Sequence, residues 1–371
     1  MHGVGRMVEG ALLLAALIAG AQTKKGGDWE IGPWTRPSSG NPVIAPNPES
    51  VFEDPIRKAP VEWEALHTFN PAAVVRNGDI DVLYRAEDNT GAMQIEMHTS
   101  RLGLAVSADG IHFTRRAEPV FYPADDSEKV REWPGGVEDP RIVEAEDGTY
   151  VLTYKQWNRE TYSAGIATSR DLEHWRKYGP AFFEAEGRKY ETLKYKSAGI
   201  VTALRNGRLM AVRIHGKYWM YWGEGAIHLA TSSDLIHWTP VEDADGEPIK
   251  VLRPRPGRFD SSFPETGPPP VLTRAGIVVI YNGKNAASGG DPNLPANTYA
   301  AGEALFDADN PARLLARTEG PVLWPEAPYE KTGQYVAGTT FAEGLVYFHE
   351  QWFLYYGCAD SLVAVAMAPA N

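Results

Sequence analysis

The chain has 371 residues, with 48 acidic side chains against 36 basic ones and a formal net charge of −12. An acidic surface with no basic run is a poor partner for nucleic acid or an anionic membrane. The single cysteine, Cys358, excludes an internal disulfide framework and reads as a small buried filler at an apolar strand end.

In chain order, Arg6, the apolar run 11–20 and the small residues Ala19-Gly20-Ala21 read as a signal peptide cleaved near Ala21. Export to the periplasm or exterior is then expected, although an apolar stretch this short also suits a buried N-terminal helix. Residues 22–50, rich in Pro, Gly and Ser, predict an extended lead-in wrapping the fold.

From residue 51 onward the chain repeats itself. The strings LGLAVSADGIHF (102–113), AGIATSRDLEHW (164–175) and IHLATSSDLIHW (227–238) are near-copies, with Ser107, Ser169 and Ser232 in equivalent places. Each predicts a strand, a tight Ser-x-Asp turn and another strand. His112, His174 and His237 belong to these turns. Between the copies recurs a strand, a polar turn and a second strand, at 71–86, 140–155, 198–214, 269–283 and 338–357. Asn77-Gly78, Asp147-Gly148 and Asn206-Gly207 accept the positive φ of hairpin turns. The repeats predict an all-β fold, a single five-bladed β-propeller over 51–371. Its last blade is completed by 361–368 together with a strand from near the N-terminus.

Three acidic residues stand at comparable places in successive repeats. Asp139 lies in GGVEDPRIVE (135–144), with the following proline expected to hold it extended. Taken alone it reads equally as a turn carboxylate paired with Arg141. Glu224 lies among aromatics in KYWMYWGEGAIHLA (217–230), a setting that would raise a carboxyl pKa. Glu265 lies just ahead of three prolines, Pro268, Pro269 and Pro270. Singly, each glutamate reads more readily as structural; converging in a central funnel, the three supply the acid and base of glycoside hydrolysis. The nine histidines show no ligand-spaced pair, so no zinc site is expected, and no phosphate loop, dinucleotide fingerprint or other cofactor motif is present.

The strings FNPAAVV (69–75), SRLGLAVSADGIHF (100–113), GGVEDPRI (135–142), IATSRDLEHW (166–175), ETGPPPVL (265–272) and YYGCADSLVAVA (355–366) resemble glycoside hydrolase family 130, from about residue 40 to the end. The resemblance implies a five-bladed propeller acting on β-mannosides by inversion, as a phosphorylase in most members and as a β-1,2-mannosidase in a smaller branch. It implies Asp139 as general acid, its proton passing through the sugar's 3-hydroxyl. It further implies Asn70, Arg85, Ser100, Arg101, Arg141 and Asp360 as mannose-subsite residues, with Tyr154 and Lys155 beside them.

The basic phosphate-binding segments of the phosphorylases have departed here, reading Lys196-Ser197-Ala198-Gly199 and Arg213-Ile214-His215-Gly216. Glu265 stands where phosphorylases usually carry a small residue. A carboxylate there repels phosphate by roughly 4 kcal/mol per charge pair at 4 Å and a dielectric near 20. The expected function is therefore an exo-acting β-1,2-mannosidase on a β-mannoside oligosaccharide, with Glu224 and Glu265 activating water. A mannoside phosphorylase and a non-catalytic glycan-binding propeller are the two alternatives.

Overall fold

A computed structural model describes residues 27–370, and the region expected to be a signal peptide lies outside them. Among the described residues the fold is almost entirely β, interrupted by one helical turn at Lys129–Glu132 and two 3-10 turns. No helix among the described residues is long and apolar enough to cross a membrane.

Antiparallel groups follow one another along the chain, as the repeats require. His67–Arg76 pairs with Asp79–Glu87, which pairs with Ser100–Ser107. Gly136–Glu144, Tyr150–Trp157, Tyr162–Ser169 and Trp175–Pro180 form the next group in the same order. The last group runs Thr340–Phe348, Gln351–Cys358 and Leu362–Pro369. Thr35 and Ile44 of the lead-in bridge to that final strand, so the N-terminal segment is extended and lies against the chain's end. Consecutive groups touch through parallel bridges such as Ser100 to Gly136. Gly136 has φ of 122°, and a Cβ there would stand 2.3 Å from the Ser100 carbonyl oxygen, so only glycine permits the approach.

The repeated turns are built alike. Ser107 Oγ accepts the backbone N–H of Gly110, and Asp109 Oδ2 faces His112 Nδ1 at 2.7 Å. The same geometry recurs at Ser169, Asp171 and His174, and at Ser232, Asp234 and His237. A groove of about 750 Å³ runs past Asp171 and Asp234, whose carboxylates are committed to these turns, and past Glu146 and Asp147, which pair with Arg205 and Arg170.

The third hairpin differs from expectation. Thr202–Arg205 does pair with Arg208–Ala211 around Asn206-Gly207. The preceding residues Ala198–Ile200, however, pair with Lys217–Trp222. The 202–214 stretch is thus an excursion, and the strand that delivers Glu224 is the direct neighbour of the innermost one.

Candidate active site

The first strands of three groups carry a bulge at matching places. The extra residue is Asn70 in one, Asp139 in the second and Glu343 in the last, since pairing shifts at Phe69/Pro71, Glu138/Arg141 and Ala342/Gly344. A bulge bends the strand and re-aims the inserted side chain. Asn70 and Asp139 take φ of 44° and 48°, so the extended conformation expected ahead of Pro140 is not found. The bulge outweighs the proline's preference, and it turns the carboxylate inward.

Asp139 Oδ1 accepts from Asn70 Nδ2 at 2.8 Å and from Arg85 Nη1 at 3.0 Å. Arg85 also donates to Glu87 at 2.6 Å and Glu138 at 2.9 Å, with its guanidinium 4.5 Å from the Phe69 ring centre. Lys155 meets the other Glu138 oxygen at 2.8 Å. Burial alone would raise the Asp139 pKa, but Arg85, Lys196, Lys155 and Arg141 outweigh it and hold the carboxyl below the usual range. Asp360 goes the other way. It occupies a hairpin turn in which Ala359 and Asp360 both have positive φ. Burial pushes its pKa up to about 7, against the pull of Arg85 and with help from Asp139 and Glu87.

Glu224 and Glu265 come from neighbouring groups and face each other across an antiparallel bridge. Gly223 makes this possible: at φ of 112° a Cβ would lie 2.7 Å from the Ala226 carbonyl oxygen, and its own carbonyl accepts from the Thr266 N–H at 3.2 Å. Residues directly opposite on paired strands have side chains within about 5.5 Å at Cβ. Between the two carboxylates lies Lys196, 3.3 Å from Glu224 and 3.2 Å from Glu265. Glu265 Oε1 also accepts from Ser197 Oγ at 2.5 Å, while Oε2 is buried without a protein partner. Burial raises the Glu265 pKa; Lys196 opposes the rise and Glu224 adds to it. The Lys196 ammonium stays charged, because Glu265, Glu224 and Asp139 outweigh its desolvation. Glu224 is not enclosed by aromatics as expected; its side chain is 32% exposed at the mouth.

Asp139, Glu224 and Glu265 line one hollow of about 190 Å³, together with Asn70, Arg85, Lys155, Asp360 and Lys196. Tyr299, Phe341 and Tyr335 supply an aromatic wall. A second cleft, about 540 Å³ and lined by Tyr162, Trp222 and Phe263, adjoins it at Lys196 and Glu224.

Four expected subsite residues do not line the hollow. Tyr154 points into the core, edge-on to Phe121, and its hydroxyl donates to Glu132. Arg101 is fully buried between Asp54 and Asp88. Ser100 lies beneath the site, accepting from Arg85 Nε at 3.1 Å. Arg141 is also beneath: it donates to the carbonyls of Asp139, Thr266 and Gly267 and pairs with Glu343 at 3.0 Å. Arg141 therefore ties the strand of Asp139 to the strand of Glu265. Lys196, Glu138 and Glu343 escaped the sequence reading; only Lys196 had a signal, as the residue opening a segment departed from the phosphorylase pattern.

An all-β scaffold presenting carboxyls from separate repeats to one small polar hollow is the architecture of a glycoside-active enzyme. A family model, Glyco_hydro_130, described as beta-1,4-mannooligosaccharide phosphorylase, matches residues 40–371, and the chain belongs to glycoside hydrolase family 130. It is 33% identical over 313 residues to a 1,2-beta-oligomannan phosphorylase of Thermoanaerobacter sp. (strain X514), covering 84% of this chain and 92% of that protein. Among solved structures, a putative glycoside hydrolase from Parabacteroides distasonis ATCC 8503 is 52% identical with a TM-score of 0.90, covering 92% of this chain and 97% of that one. Another, reported under the finding that the family of mannoside phosphorylases contains glycoside hydrolases that target beta-1,2 mannosidic linkages in Candida mannan, is 50% identical with a TM-score of 0.91. It covers 93% of this chain and 98% of its own.

Proposed function

We propose that this chain is an inverting, exo-acting β-mannosidase that hydrolyses β-1,2-mannosides, built as one five-bladed propeller over 51–371 and exported after cleavage near Ala21. The observation that carries the reading is the Glu224–Glu265 pair in the same hollow as Asp139. All three cations lining that hollow are already paired: Arg85 with Glu87, Glu138 and Asp139, Lys155 with Glu138, and Lys196 with both glutamates. An incoming phosphate dianion would have to displace those carboxylates, whereas a neutral water needs only an acceptor.

The terminal mannose sits in the smaller hollow against the aromatic wall, and the rest of the glycan leaves through the adjoining cleft. Asp139 delivers a proton to the glycosidic oxygen through the sugar's 3-hydroxyl. Asp139 is held ionised in the free enzyme, so the proton it passes on must first reach it from a neighbouring carboxyl. We assign that donor as Asp360, whose pKa burial raises to about 7 and which is left ionised by the transfer. Glu265, with Glu224 beside it, takes the proton of a water bound at Oε2 as that water attacks the anomeric carbon. The likeness to a structure reported with hydrolases of β-1,2 linkages supports this branch; the curated relatives, named as phosphorylases, favour the alternative. Incubation with β-1,2- and β-1,4-mannobiose, with and without phosphate, tests it. Free mannose from the β-1,2 substrate at equal rates in both buffers is expected; phosphate-dependent release of mannose 1-phosphate would overturn it.

A further inference from the structure

The sequence spacing of the histidines hides a cluster that the fold assembles beside the hollow. We propose that His67, Glu87 and His98 form a binding site for a divalent transition-metal ion of the zinc class. One donor atom from each lies within 4.8 Å of the others. His67 and Glu87 are direct cross-strand partners, and the His98 ring stands 6.0 Å from that of His67, tilted by 58°.

Both rings are oriented as metal ligands are. His67 Nδ1 is 2.9 Å from Ser361 Oγ and His98 Nδ1 is 3.4 Å from the Thr90 carbonyl oxygen, leaving Nε2 as the nitrogen each can offer. A ligating histidine characteristically engages its second nitrogen with a protein oxygen in this way. Glu87 spends Oε1 on Arg85 and keeps Oε2, which accepts only from Gln334 Nε2 at 3.1 Å. Glu87 and His98 are buried while His67 is half-buried, so the cluster has an open side for an ion to enter.

Two imidazoles and a carboxylate suit zinc or its neighbours rather than calcium or magnesium, which take oxygen ligands. Tetrahedral bonds of ~2.0–2.1 Å place ligand atoms about 3.4 Å apart, a modest inward rotation from the observed arrangement. The ion would fix Glu87 and, through it, the Arg85 guanidinium that donates to Asp139. It is thus a positioning site, independent of whether water or phosphate attacks.

The test is to strip the protein with a chelator, dialyse, and titrate with Co²⁺ by visible absorption and with Zn²⁺ by calorimetry. One equivalent is expected to bind with a tetrahedral or five-coordinate Co²⁺ spectrum that Zn²⁺ abolishes. His98→Gln and His67→Gln are each expected to weaken binding by about 100-fold or more, and His174→Gln, at an exposed turn, to leave it unchanged. Folding of each variant is checked by circular dichroism, and the wild-type titration stands alone should either fail to fold. The proposal is overturned by absence of the Co²⁺ spectrum and of Zn²⁺ heat in the folded wild-type protein. It is equally overturned by wild-type affinity in both folded variants, which would leave only adventitious surface binding.

Discussion

The two sides of the hollow hold carboxylates under opposite electrostatic regimes. Around Asp139, cations from several strands converge, and the carboxyl is held ionised despite burial. Around Glu265, one ammonium serves two carboxylates, and burial prevails in raising the pKa. The same fold thus builds one wall that holds its buried carboxyl ionised and another whose buried carboxyl holds its proton more readily than a free one. The difference lies in how many cations each strand pairing brings within reach, not in the residue type.

Breaking the cation-rich side should have the larger effect. Asp139→Asn is expected to lower turnover of β-1,2-mannobiose by ~10²–10⁴, the usual worth of a positioned acid, with a melting temperature close to wild type. Glu265→Gln should cost about 10²-fold in turnover on the same basis while leaving substrate affinity nearly unchanged, as steady-state kinetics would show. Arg101→Met separates structure from site: stranding Asp54 and Asp88 should cost ~3–5 kcal/mol in denaturant unfolding.

The pH profile sharpens the comparison further. Because the Asp360 pKa is raised to about 7, the carboxyl is protonated below that pH and loses its proton above it. kcat/KM should therefore fall on the alkaline side near pH 7, and Asp360→Asn, which has no carboxyl proton to give, should lower kcat/KM at every pH and leave no such limb. The smallest effect belongs to Tyr154→Phe, which loses the bond to Glu132 and the longer one accepted from Gln156 Nε2. Stability should fall by about 1–3 kcal/mol, with turnover unchanged, in a paired melt and assay.

What the sequence disclosed and what it hid follow from the range of the interactions. Asn77-Gly78 and the Ser-x-Asp turns are set by local backbone chemistry, and both occur where expected. The sequence did bring Asp139, Glu224 and Glu265 to one hollow, but not at equivalent repeat positions as expected. Asp139 sits in a first-strand bulge matched by Asn70 and Glu343, whereas Glu224 follows the second strand Lys217–Trp222. Tyr154 and Lys155 show the limit: successive residues on a strand point to opposite faces, so one faces the core and the other the hollow. Lys196, Glu138 and Glu343 were hidden because their importance comes from partners distant in the chain. The third hairpin misled for a similar reason: a strong Asn-Gly turn marks a hairpin but not which strand lies beside the innermost one.

The most direct test of the central claim, that the Glu224–Glu265 side activates water, follows β-1,2-mannobiose cleavage in H₂¹⁸O containing saturating phosphate. Proton NMR of the first-formed sugar is combined with mass spectrometry. The account predicts α-mannose carrying ¹⁸O at its anomeric carbon, lost when Glu265 becomes Gln. Unlabelled mannose 1-phosphate, or β-mannose as the first product, would contradict it.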